Sequence, residues 1–296
     1  MAFVDEMRHL GRQPVSLDGI RHSLQSLIRH GGVLTIEGAT PQSIKAYFRK
    51  QSEQRGWKAW TYNTHRSKLN SFFKYLWEEG LITENPVRRM RRMCQGDVKH
   101  PTLSGEQGKI IVGHLLTHAP TSLIAHRNIV FVLLLCLTGC RVSEALRICL
   151  SDLDLEKRTL RLPATKGGKP RFIALEGGIM RQLVQYLEYR RSIGRNDESL
   201  FISSSRTAPW TYCGVRKTME QLGNTLGFKI RCHAFRRYAA TQLAENNIPL
   251  EQIMHLLGHT NTRTTQLYIN SCTPALLRPC TTLLSRKLEE ADNRLG

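Results

Sequence analysis

Four short stretches place cationic or hydroxyl side chains where helix turns and loops would expose them. In Thr138-Gly139-Cys140-Arg141-Val142-Ser143-Glu144, Gly139 can end one helix so that Arg141 opens the next, with Glu144 three residues on. A guanidinium oriented by a carboxylate at a helix start suits phosphate oxygens, although taken alone the pair suits a structural ion pair better. Ala164-Thr165-Lys166-Gly167-Gly168-Lys169 puts a lysine before two glycines. Such a lysine is free to swing into a groove, where it contacts nucleic acid or delivers a proton, or to stay solvated in a turn. His233-Ala234-Phe235-Arg236 sets an imidazole and a guanidinium three apart, on one helix face. Leu257-Gly258-His259 is followed nine residues later by Tyr268, in a Leu-Tyr-Ile setting that ordinarily marks a core aromatic.

The elements that must position these groups read as mostly helical. Leu17-Asp18 opens a helix through Leu24 and Ile28, stopped by Gly31-Gly32. Thr40-Pro41 is an N-cap with proline at the first helical position, and Ile44, Tyr47 and Phe48 give the buried face. Thr61 or Asn63 caps a third segment carrying Leu69, Phe72, Phe73, Leu76 and Trp77, ended by Gly80. Asn85-Pro86 breaks the chain, and Val87-Arg88-Arg89-Met90-Arg91-Arg92 leads into a non-periodic stretch ending near His100-Pro101. Beyond it, residues 127–138 read as a buried helix, and residues 159–162 with 171–175 as a β-hairpin around Lys166. Helices follow near 177–192, 210–226, 233–245, 249–257 and 262–269. A tail from 279 to 291 places Cys280, Leu283, Leu284 and Leu288 on one apolar face, with Arg286, Lys287, Glu289 and Glu290 solvated. The expected architecture is mainly α with a small β-hairpin or sheet. Residues 1–90 form a helical domain, 91–101 a basic linker, 102–270 a mixed α/β domain and 271–296 a tail.

Composition narrows the partner. The 296 residues carry 43 Lys plus Arg against 24 Asp plus Glu, a formal charge of +19, which suits a polyanion such as nucleic acid. Lys45, Arg49, Arg66, Lys68 and Lys74 lie on the polar sides of the N-terminal helices, and Arg88, Arg89, Arg91 and Arg92 in the linker; one-signed excess of this kind suits a duplex backbone. The longest apolar run, 129–137, is too short to span a bilayer, and no charged-then-apolar leader opens the sequence. A secreted or membrane protein is not expected; cytoplasmic, DNA-associated residence is. None of the eight cysteines forms a CxxC pair, which reads as reduced thiols. Cys232, His233, His255 and His259 cluster in sequence, but Gly258 interrupts the His pair and no Glu follows His255, so no metal is expected.

Arg, Lys, His-x-x-Arg, Gly-His and Tyr in this order resemble the tyrosine recombinase (phage-integrase) family, in TGCRVSEAL, ATKGGKPRFIAL, HAFRRYAATQLA and LGHTNTRTTQLYIN. TPQSIKAYF and TYNTHRSKLNSFFKYLWEEGLITENPVRRMRR resemble its core-binding domain, and the likeness covers roughly residues 15–270. Cys140, Ala145 and Phe235 depart from usual residues without removing a catalytic group. The pattern resembles the simple two-domain Xer-like or transposon-encoded members, without an arm-binding domain or integron insert.

The resemblance implies a C-shaped clamp on DNA and a site-specific recombinase for integration, excision, inversion or resolution. Arg141 and Arg236 would neutralise the phosphodiester, and Tyr268 would attack it to leave a 3′-phosphotyrosyl link and a free 5′-hydroxyl. His233 would act as base, Lys166 as acid, and His259 as hydrogen-bond donor to the phosphate, while Glu144 orients its neighbours and Lys169 contacts DNA. Because the covalent link retains the energy of the broken bond, neither ATP nor a metal cofactor is expected. The partners implied are a double-stranded recombination site and other protomers, two on a site and four in synapsis, with the tail docking in cis or trans. The competing readings are a type IB topoisomerase that relaxes DNA without synapsis, and a catalytically silent DNA-binding protein of the same fold.

Overall fold

A computed structural model of the chain describes residues 2–12, 14–94, 103–117, 122–164, 170–203 and 208–258. The chain divides into two compact units, Met1–Lys99 and His100–Gly296.

Unit one is helical. Its elements are α1 (Ala2–His9), α2 (Pro14–Gly31), α3 (Pro41–Arg55) and α4 (Ala59–Glu78). Helix α3 starts as its sequence dictates: the Thr40 hydroxyl accepts from the Ser43 amide at 3.1 Å, Pro41 fills the first turn, and Gly56 closes it in the left-handed region at φ 59°. Ile44, Tyr47 and Phe48 are buried with Leu27, Leu69, Phe73, Leu76, Val87 and Met90. Two starts differ from expectation. Helix α2 begins at Pro14, not Leu17, and buries Leu17, Ile20 and Leu27, leaving Leu24 half-buried and Ile28 exposed. Helix α4 begins at Ala59 rather than after Thr61 or Asn63, with Lys58 at the cap position and no side-chain cap bond. Edge-to-face packing among Phe48, Trp57 and Tyr62, with Trp57 stacked on His65 at 4.3 Å, fixes this entry turn in place of a capping hydroxyl. Trp77, read as part of the apolar face, is on the outside, with the Arg88 guanidinium 5.7 Å above its ring.

The basic stretch after α4 is tied to that helix. Asn85 bonds Asn70 and the Val87 amide, Arg66 Nε donates to the Met90 carbonyl at 2.7 Å, and Asn63 exchanges two bonds with Met93. Val87 and Met90 therefore point inward, while Arg88, Arg89, Arg91 and Arg92 project into solvent.

Unit two is built around α6 (Leu123–Thr138), whose residues from Ile129 to Thr138 are all buried. Packed on it are α5 (Gly105–Thr117), α8 (Gly178–Ser192) and α10 (Cys232–Glu245), with α9 (Tyr212–Leu226) and α11 (Leu250–Leu257) against α10. Between α6 and α8 come the short α7 (Val142–Ala145) and a three-stranded antiparallel sheet in the order β1 (Leu153–Asp154), β2 (Thr159–Leu162), β3 (Arg171–Ala174). Leu160 faces Ile173 and Leu162 faces Arg171, so the expected hairpin is present with an added edge strand. Helices α1 and α5 carried no expectation. The 262–269 and 279–291 helices lie outside the described residues.

Candidate active site

The first motif forms as its residue types require. Helix α6 ends at Gly139, whose left-handed φ of 57° is open to glycine at no cost. Packing favours glycine as well: a Cβ there would crowd a Leu257 methyl and the Ala239 Cβ. Thr138 turns its hydroxyl to the Leu134 carbonyl and accepts the Cys140 amide at 3.1 Å, directing the chain into Arg141. Arg141 caps α7 with no hydroxyl of its own. Its backbone N–H is taken instead by Glu144 Oε2 at 2.9 Å, and its Nη1 by Oε1 at 2.8 Å.

Glu144 is 1% exposed. Burial opposes its ionisation, but the Arg171 charge and the bonds from Arg141 and Arg171 outweigh that and hold its carboxyl below the usual range. Arg171, on β3, gives Nη2 to Glu144 Oε2 at 3.0 Å and Nε to the Leu256 carbonyl at 2.8 Å. Sequence reading missed it. The available signal was strand alternation, because Arg171 and Ile173 share the inward phase while Phe172 faces out, half exposed.

Helix α10 brings the second motif to the same place. Arg236 is 5% exposed and donates Nη1 to the Gly139 carbonyl at 2.9 Å. Its Nη2 is buried and has no partner among the described residues. Burial, then the like charge of Arg141, lower its pKa from 12.5 to about 10. His233, one turn earlier and exposed, is shifted below its ordinary value by partial burial and by the Arg236 and Arg141 charges, so it is neutral at pH 7. Burial pushes the Cys140 thiol up to about 11, leaving it protonated beside Arg141.

A buried guanidinium with an open donor, a second half-exposed guanidinium, and a neutral imidazole make a site for one tetrahedral anion and one proton transfer. Lys166, Lys169, His259 and Tyr268 lie outside the described residues. Among the described residues no group of three or more His, Cys, Asp or Glu could hold a metal, and Cys94, Cys136, Cys140, Cys149, Cys213 and Cys232 are free thiols.

The DNA-facing candidates sort differently. Lys45 and Arg49 are exposed on α3. Lys68 reaches α2, where its Nζ is 2.7 Å from the position a Gly19 Cβ would take. Lys74 pairs with Glu78 at 3.1 Å, and Arg66 is a brace for Met90, so these two are partly spent on structure.

Comparison with known proteins follows the same lines. The phage integrase family model matches residues 111–273. The tyrosine recombinase XerC of Bacillus pumilus (strain SAFR-032) is 31% identical over 268 residues, covering 86% of this chain and 85% of that protein. The tyrosine recombinase XerA of Pyrococcus furiosus is 32% identical over 240 residues, 78% and 77% of the two chains. Among solved structures, the Tn1549 transposon integrase in complex with a circular intermediate DNA superposes with a TM-score of 0.71 at 18% identity, covering 94% of this chain and 96% of that one. A lambda integrase dimer on a core site gives 0.67 at 21%, over 88% and 93%. With its Arg141–Glu144 turn, its His-x-x-Arg helix and more than half its length within the family model, the chain belongs to the phage integrase family of tyrosine recombinases.

Proposed function

We propose that Tyr268 is the nucleophile with which this site-specific recombinase cuts and rejoins double-stranded DNA. The observation that carries the reading is Arg236: a buried guanidinium anchored by one nitrogen on Gly139 and open at the other is built for a phosphate oxygen. Arg141, held by Glu144, supplies the second fork. The Tyr268 phenol attacks phosphorus in line, its proton passing to neutral His233, and the P–O5′ bond breaks as Lys166 protonates the departing oxygen. His259 donates to a non-bridging oxygen. The 3′-phosphotyrosyl link is then attacked by the 5′-hydroxyl of another strand, so bond energy is conserved and rejoining needs no ATP.

Residues 1–90 and the 91–101 linker grip the duplex backbone, with Lys45, Arg49, Lys68 and the linker arginines at phosphates, while 102–270 performs the chemistry. The enzyme works with other protomers, paired on a site and in fours at synapsis, and the 271–296 tail docks on its own or a neighbouring protomer. Among the described residues no helix is long and apolar enough to cross a membrane; the proposed place of action is DNA in the cytoplasm. Relatives that are themselves recombinases favour strand exchange over simple relaxation. The test is Tyr268→Phe on a nicked suicide substrate: DNA binding is retained and the SDS-stable adduct disappears. An adduct that survives the substitution refutes the assignment.

A further inference from the structure

We propose that Arg171 is a positioning residue that locks the Arg141 turn to the C-terminal end of α11, so that the fixed arginine and the segment leading to His259 and Tyr268 are held in register. The proposal rests on the recombinase reading of the site. Arg171 is 7% exposed and belongs to a different element from either group it joins. One edge of its guanidinium reaches Glu144 Oε2 at 3.0 Å, the same oxygen that accepts the Arg141 backbone amide. Another, Nε, reaches the Leu256 carbonyl at 2.8 Å, in the last turn of α11. Gly258 closes that helix at φ 66°, and a Cβ on it would stand 2.7 Å from Arg171 Nη1 and 3.1 Å from Cζ. A side chain at Gly258 would therefore run into the guanidinium, so the end of α11 packs close against Arg171. Arg171 pairs with Leu162 at the end of the β2–β3 ladder, so its own backbone is anchored by the sheet.

A planar fork is the one side chain that can serve both acceptors at once. Lysine keeps the charge but presents a single ammonium, which does not reproduce the fixed, separate Nε and Nη2 donors that reach the Leu256 carbonyl and Glu144. With the bridge broken, Glu144 keeps its bonds from Arg141 but loses the shared partner that ties it to the α11 carbonyl.

The experiment measures single-turnover cleavage of a suicide substrate at saturating DNA by the full chain, together with DNA affinity and the folded fraction by circular dichroism. The variants are Arg171→Lys, Glu144→Gln and their combination. Displacement of reacting groups by about 1 Å costs about 100-fold in rate, so Arg171→Lys is expected to cleave about 100-fold more slowly with affinity within threefold of the parent and the protein folded. Because both residues act through one bridge, the double variant is expected to be no slower than the worse single variant. Cleavage by Arg171→Lys within threefold of the parent overturns the proposal. So does multiplicative loss in the double variant, or a rate loss that merely follows the unfolded fraction. The parent protein run alongside separates the two readings, since absence of any Tyr268 adduct there indicts the site itself and not Arg171.

Discussion

Arg236 is a cationic group that the free protein holds at a loss, and that loss can be measured. Its pKa of about 10 against an ordinary 12.5 means that burial and Arg141 disfavour the charged form. At about 1.4 kcal/mol for each pKa unit, the charge weakens the folded state by about 3 kcal/mol, and the cost is fully present at neutral pH, below both values. Opposing it is the 2.9 Å bond to the Gly139 carbonyl, whose loss would leave a buried acceptor unpaired at about 1–3 kcal/mol. Arg236→Met, similar in length and apolar, is therefore expected to stabilise the DNA-free protein by about 1 kcal/mol. Differential scanning calorimetry in a buffer without phosphate or sulfate should show unit two melting about 2–4 °C higher in the variant than in the parent. Added phosphate should then raise the parent's Tm and leave the variant's unchanged, while the covalent adduct falls by at least about 100-fold. A variant that melts several degrees lower, with or without phosphate, would show the guanidinium to be a structural brace and refute the reasoning.

Two further outcomes follow from the described geometry. Arg88, Arg89, Arg91 and Arg92 all project from a segment pinned by Val87 and Met90, so neutralising all four should weaken binding to every sequence alike and reduce the log–log salt slope by about 0.9 per lost contact; loss confined to the cognate site at unchanged slope would mean base reading instead. His233 is shifted below 6.5 by burial and two arginines with no acid among the causes, so the second-order rate constant for cleavage should fall on acidification with a midpoint below 6.5, as the imidazole takes a proton; a midpoint above 7 would exclude it as the base in this environment.

Much of this protein was legible because local signals and tertiary demand agree. Thr40-Pro41 caps α3, Gly139 ends α6, and the pairing of β2 with β3 follows alternation. The order of Arg141, Lys166, His233-x-x-Arg236, His259 and Tyr268 sufficed to name the family, because the chemistry tolerates few substitutes at those positions. Only the fold decided what those signals leave free. Helix α4 starts two residues before its first hydroxyl cap because Trp57 stacks on His65, and Arg66 serves the Met90 carbonyl rather than solvent because the chain folds back along α4. Arg171 is the clearest case. Its partners, Glu144 and Leu256, lie 27 residues before it and 85 after it in the chain. No periodicity in sequence encodes a contact at such separations; burial of a charge selects its partners in space, after the elements have packed.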